Sequence, residues 1–129
     1  MAVTYLDSSA IVKLVVRERE SAALRRHLRH RHLISSVLAR TEVLRALLPL
    51  GADAAAAGRA ALGAIDLVRV NERVLADAAG LLPVELRTLD AIHLATAQQL
   101  GPELGRLVTY DERMATAAKH LGLRTVAPV

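Results

Sequence analysis

The segment VTYLDSSAIVKL, residues 3–14, decides the fold. Val3, Thr4, Tyr5 and Leu6 form a run suited to a strand, and Asp7 after it is a natural helix N-cap. The apolar spacing that follows is helical. A strand that passes straight into a helix opens a βαβ unit, the building block of a parallel sheet.

Working outward, short β-branched runs recur between longer helical patterns. Strands are expected at Val3–Leu6, Leu33–Ile34, Leu67–Val70, Leu107–Thr109 and Arg124–Val126. Helices fit Ser9–Val16, Glu20–His30, Val37–Leu48, Asp53–Ala64, Glu72–Leu81, Leu89–Leu100 and Glu112–Leu121. Pro49 with Gly51, Gly101 with Pro102, and Gly122 supply the breaks. The reading is α/β: a central parallel sheet of about five strands flanked by helices, with residues 1–129 as a single domain. Val37–Leu48 and Asp53–Ala64 are expected to form a hairpin projecting from the sheet. Leu82–Arg87 should return as an extended segment, bringing Asp90 to the carboxyl edge, where open α/β folds bind ligands.

Composition narrows the chemistry. The 129 residues are 53% hydrophobic but include no Phe and no Trp, so Leu, Val, Ile and Ala must fill the core. With no cysteine, disulfides, thiolate zinc sites and cysteine nucleophiles are excluded. Asp7 interrupts the first apolar stretch where a signal peptide needs continuity, and the alanine-rich run near residue 58 is too short for a bilayer. A soluble, cytoplasmic protein is expected. The net charge of +4, nearly all from Arg, suits phosphate backbones or an acidic partner.

Four carboxylates sit at or near the strand-to-helix junctions: Asp7, Glu42, Asp90 and Asp111. Singly, three have structural explanations. Asp7 caps a helix, Asp90 follows Thr88 (a potential cap) and benefits from the helix dipole, and Asp111 lies within Thr109-x-x-Glu112, a capping-box pattern. Glu42 lies inside a helix and could pair with Arg45. Its neighbours Leu38, Val43, Ala46 and Leu47 place it beside the buried face, however. Helical side chains tilt toward the N-terminus, so a glutamate's length could reach the sheet edge where an aspartate would fall short. Jointly the four acids form a site for Mg²⁺ or Mn²⁺, hard cations able to activate water against a phosphodiester. Ser9 and Thr109 place hydroxyls beside them.

The stretches YLDSSAIVKL, TEVLRA, LRTLDAIHLATA and TYDERMATAAKHLGL, taken together, resemble a PIN-domain nuclease, and more narrowly the VapC toxins of toxin–antitoxin pairs. The resemblance runs nearly end to end. It maps the family's acidic pocket onto Asp7, Glu42, Asp90 and Asp111, as metal-binding and catalytic residues, with Ser9 and Thr109 as polar supports. It implies a PIN fold and a Mg²⁺- or Mn²⁺-dependent endoribonuclease. It also implies a homodimer, inhibited by an antitoxin whose tail enters the active-site groove.

Other residues read less sharply. Arg25, Arg26, Arg29 and Arg31, interleaved with His27, His30 and His32, form a solvated helix end with potential phosphate contact rather than a metal cluster. His93, one turn after Asp90, is read as a packed or hydrogen-bonded core histidine, with a proton relay as its functional alternative. Lys13, Arg17 and Arg87 are candidates for holding RNA phosphates. With so few aromatics there is no stacking platform, so recognition should rest on phosphates and RNA shape. Two alternatives stay open on residues alone: a basic α/β binding module without catalysis, and a metal-dependent nuclease acting on DNA. Receiver-type and haloacid-type phosphoryl transfer fit poorly, since Ser9 stands where a second Asp is needed. The apolar Val37–Ala64 hairpin suggests a dimer.

Overall fold

The computed structural model describes residues 2–129. The chain runs β1 (Val3–Leu6), α1 (Ser8–Val15), α2 (Ser21–Leu28), β2 (His32–Ser36), α3 (Leu38–Leu47), α4 (Ala52–Gly63), β3 (Asp66–Val68), α5 (Glu72–Ala79), α6 (Thr88–Gln99), β4 (Leu104–Val108), α7 (Glu112–His120) and β5 (Thr125–Val126). All five strands are parallel, in the order β3-β2-β1-β4-β5. β1 is central: Tyr5 registers with Ile34 on one side and Leu107 on the other. Every carboxyl end therefore points the same way.

Alternation along the strands divides the core. Val3, Tyr5, Ile34 and Leu107 face α6 and α7, packing with Leu94, Ala97, Met114, Ala117 and Ala118. Leu6 and Val108 face the opposite side, with Ile11, Leu24, Val43, Leu47 and Leu62. Each fully buried Leu contributes about 1.5–3 kcal/mol, which is how a core with one buried aromatic ring suffices. Seven consecutive α6 residues, Ala91–Ala97, are buried. Alanines at 91, 95 and 97 let α5 and the sheet approach that helix from both sides.

The boundaries differ from expectation where polar residues lie inside strands. β2 extends through Ser35 and Ser36, both fully buried, with Ser35 Oγ donating to Leu6 O at 2.6 Å. β4 starts at Leu104, through Gly105 and Arg106. A Cβ on Gly105 would stand 2.9 Å from Ala2 Cβ, so a side chain there would crowd β1. β3 ends at Val68, short of Val70. The hairpin does not project: α3 and α4 lie on α1, their inner faces within the main core. Val43, Leu47 and Leu62 are internal, while Leu48 and Leu50 at the turn and the alanines Ala56, Ala57 and Ala60 of α4 stay exposed. Leu82–Arg87 is a turn rather than an extended return, with Leu86 N donating to Pro83 O at 3.0 Å. At the α7 terminus Gly122 takes φ 77°, and Leu123 N closes on Ala118 O, a Gly-dependent cap. Among the described residues no helix is long and apolar enough to cross a membrane.

Candidate active site

Asp7 follows β1 and caps α1, with Oδ1 accepting from Ala10 N at 2.8 Å and from Ser9 Oγ at 2.9 Å. Its Oδ2 accepts from Thr109 Oγ1, and Thr109 Oγ1 in turn accepts from Asp111 N at 3.1 Å. Thr109 therefore couples two of the acids. The carboxylate is 3% exposed, and burial pushes its pKa up against the opposing pull of Thr109, Ala10 and Ser9. A carboxylate this buried and this fully bonded has one orientation.

Glu42 reaches the same edge from the interior of α3. Ser8 Oγ donates to its Oε1 at 2.7 Å, and His93 Nε2 lies 2.7 Å from the same oxygen. His93 is 1% exposed, and its Nδ1 lies 2.7 Å from the Tyr5 hydroxyl. Burial raises the Tyr5 pKa, so the phenol is a donor at neutral pH. The neutral Nε2–H tautomer of His93 completes both bonds, accepting from Tyr5 and donating to Glu42. Burial would raise the Glu42 pKa, but the bonds from His93 and Ser8 outweigh it and the net shift is downward.

Asp90 lies in the first turn of α6 and Asp111 caps α7, accepting from Arg113 N and Met114 N at 2.8 and 3.2 Å. Both expected caps are corrected here. Thr88 is the first helical residue and caps nothing, and Asp111 rather than Thr109 caps α7, because the Thr109 hydroxyl is committed to Asp7. Asp90 and Asp111 line one cleft of about 350 Å³ with Glu85, Leu86, Arg87, Glu112 and Arg113. Burial raises the Asp90 pKa, and the charges of Asp111, Asp7 and Glu42 raise it further. Four acids distant in sequence thus share one electrostatic field.

Among the described residues no three Asp, Glu or His side chains converge tightly enough to cage an ion by themselves. Mg²⁺ does not require such a cage; it is commonly held by one or two carboxylates together with water and substrate phosphates. The donors are all hard carboxylate oxygens, and the mutual repulsion raising Asp90 is what a divalent cation would relieve. The residues present fit Mg²⁺ or Mn²⁺ on that ground.

The model of the PIN domain matches residues 4–120. Ribonuclease VapC46 of Mycobacterium tuberculosis is 67% identical over 129 residues, spanning 99% of each chain. This chain belongs to the VapC family of PIN-domain proteins. Ribonuclease VapC35 of the same organism is 40% identical over 96% of each chain. In solved structures, M. tuberculosis VapC20, described as a sarcin-ricin loop cleaving toxin, superposes with TM-score 0.77 over 97% of this chain and 99% of its own, at 18% identity. A toxin–antitoxin complex from Klebsiella pneumoniae gives 0.75 over 98% of each chain, at 20% identity. At those identities the likeness is one of fold.

The remaining polar candidates of this VapC-family chain divide. Arg87 lines the cleft with Asp90 and Asp111. Lys13 lines a second groove on the other side of Asp111, with Ser9 and Tyr110, but its ammonium is already paired with Glu18 at 2.6 Å and Glu20 at 3.4 Å. Arg17 is exposed and lines neither. Two residues were not singled out from sequence. Ser8, beside Asp7, bonds a glutamate 34 positions away. Tyr5 sets the tautomer of His93 across 88 positions. The sequence signal for both is their place beside Asp7 within YLDSSAIVKL.

Proposed function

We propose that this VapC-family chain is an endoribonuclease and the toxin of a toxin–antitoxin pair, hydrolysing RNA with Mg²⁺ or Mn²⁺ held by Asp7, Glu42, Asp90 and Asp111. The observation that carries this is the coupling of Asp90 to the other three acids at the carboxyl edge of the sheet. RNA as the substrate is supported by relatives named ribonucleases at 67% and 40% identity.

When bound, the ion supplies Lewis acidity toward water and a phosphate oxygen. The chain supplies orientation and charge. Asp7 is fixed by three donors, so no reorganisation of its carboxylate is needed during reaction. Glu42 is kept ionised and aimed by His93 and Ser8. Asp90 makes no side-chain bond among the described residues and is free to accept a ligand or a proton. Arg87 and Arg113 flank the cleft, where their positive charge favours the phosphodiester backbone. Ser9 and Thr109 hold Asp7 in place rather than touching substrate.

The cognate antitoxin, in this reading, places its tail in the groove beside the acids. The chain works in the cytoplasm as a homodimer, joined through the apolar residues left exposed, such as Leu48 and Leu50 at the hairpin turn. The test is to incubate the purified chain with total RNA and with single- and double-stranded DNA, in Mg²⁺, Mn²⁺ or EDTA, alongside Asp7→Asn. RNA cleavage that needs metal and vanishes in the variant is expected. Cleavage surviving EDTA or Asp7→Asn overturns the mechanism, and preferential DNA cleavage overturns the substrate.

A further inference from the structure

The basic run after α2 acquires two remote partners in the fold. Arg106, on β4 opposite Thr4, points Nη1 at His27 Nε2, 3.5 Å away. Arg31, just before β2, turns back so that its Nε donates to His27 O. Arg124 precedes β5, its carbonyl accepting from Leu107 N at 2.8 Å. Three guanidiniums thus gather toward the amino end of the sheet, opposite to the four acids. They are close enough that Arg31 and Arg124, after burial, are what lower the Arg106 pKa, and all three, after burial, lower that of His27. His27 is consequently neutral and able to accept.

Among the described residues no ion pair balances this charge: the pairs lie at Lys13, His32, Arg73 and His93, and none involves Arg31, Arg106 or Arg124. Arg106 Nε is buried with no hydrogen-bond partner. The carbonyls at the end of α2 offset the charge only in part, since a helix end amounts to about half a charge. A guanidinium cluster left with an unmet donor matches a multiply accepting anion, which Arg binds with its planar fork.

We propose that Arg31, Arg106 and Arg124, with His27, form a cradle for backbone phosphates of the RNA strand, remote from the bond being cut. The choice of RNA rests on the proposed nuclease function; the anion cradle itself does not. An acidic protein is disfavoured because the surrounding exposed residues, Arg25, Arg26, Arg29 and His30, offer no apolar centre, which a protein interface needs and a phosphate contact does not. Arg106, on β4, lies three residues before Thr109, which directly follows the strand, on the order of 10 Å at strand spacing. A strand lying in both places would have its gripped phosphates a few nucleotides from the scissile one.

The experiment measures binding of the full chain to a cleavage-resistant 2′-O-methyl single-stranded RNA in EDTA, by fluorescence anisotropy across a salt series. The exposed pair is replaced in Arg31→Ala/Arg124→Ala, and Arg106→Gln serves as a second variant. Circular dichroism melts check that each one folds. For a long oligonucleotide, the double variant should weaken binding on the order of 10-fold. It should also flatten the slope of log affinity against log salt by about 0.7 for each phosphate no longer neutralised. Unchanged affinity and slope in the folded variants, or no RNA binding by the native chain, overturns the cradle. Arginine-dependent binding of polyglutamate tighter than RNA overturns it too and assigns the site to an acidic protein. Parallel Mn²⁺ cleavage assays separate the two proposals: a native chain that binds through the arginines but never cuts sinks the nuclease and leaves the cradle.

Discussion

His93 Nε2 lies 2.7 Å from Glu42 Oε1, so a fully buried ring on α6 aims a carboxylate that α3 supplies. The other ring nitrogen is held by Tyr5 at the centre of the sheet. His93→Ala strands the Tyr5 hydroxyl and strips Glu42 of a donor. It should cost about 2–4 kcal/mol in urea unfolding and lower RNA cleavage on the order of 10–100-fold. Tyr5→Phe keeps the ring volume and should cost only about 1 kcal/mol. A His93→Ala protein cutting at the native rate would show that Glu42 needs no such orientation.

Asp90 carries a pKa raised by burial and by three neighbouring acids. Since the folded value exceeds the unfolded one, the stability contributed by its protonated form is complete below the ordinary carboxylate range. That contribution is lost as pH rises through the folded value. Without metal at neutral pH, Asp90→Asn should therefore melt higher than the native chain, by about 1–3 °C given its partial exposure. The difference should close as pH falls below the carboxylate range. Added Mn²⁺ should raise the native midpoint more than the variant's. A variant that melts lower than native in metal-free buffer contradicts the repulsion.

Thr109 donates to Asp7 and accepts from the Asp111 amide. Thr109→Val keeps the shape and removes both bonds, so it should cost about 1–2 kcal/mol. Because the hydroxyl lowers the Asp7 pKa, its loss raises that pKa, and the acid limb of the cleavage pH profile should move to higher pH. A profile that stays in place separates Asp7 ionisation from activity.

The α3–α4 contact offers a purely structural check. A Cβ on Gly58 would stand 2.4 Å from Leu47 Cδ1, and Leu47 is fully buried with nowhere to swing. Gly58→Ala gains up to about 1 kcal/mol of helix propensity but overpacks at about 1–3 kcal/mol, so a net loss is expected. Gly63→Ala, with nothing within 4 Å, should instead stabilise by about 0.5–1 kcal/mol. Urea midpoints moving in the same direction for both would contradict the close approach.

The parallel sheet and the shared edge of Asp7, Asp90 and Asp111 follow from where short apolar runs meet helix signals, which sequence carries openly; the order β3-β2-β1-β4-β5 does not, since it is set by tertiary pairing. Glu42 was legible through its length and its place beside the buried face. The polar strand interiors were not: Ser35 and Ser36 fall outside the expected strand Leu33–Ile34 until their bonds to neighbouring backbone are known. Lys13 looked free because its partners, Glu18 and Glu20, lie beyond the end of α1 and meet it only when the chain turns back. The gathering of Arg106 and Arg124 onto Arg31 is tertiary throughout, since no local pattern links residues on or before three different strands.

Manganese binding to the metal-free chain, measured by the loss of the free Mn²⁺ electron paramagnetic resonance signal, tests the four-acid pocket most directly. The native chain should bind saturably. Asp7→Asn, Glu42→Gln, Asp90→Asn and Asp111→Asn, each confirmed folded, should each weaken binding on the order of 10-fold or more. An isotherm that none of the four substitutions changes would show that these carboxylates do not form one metal site.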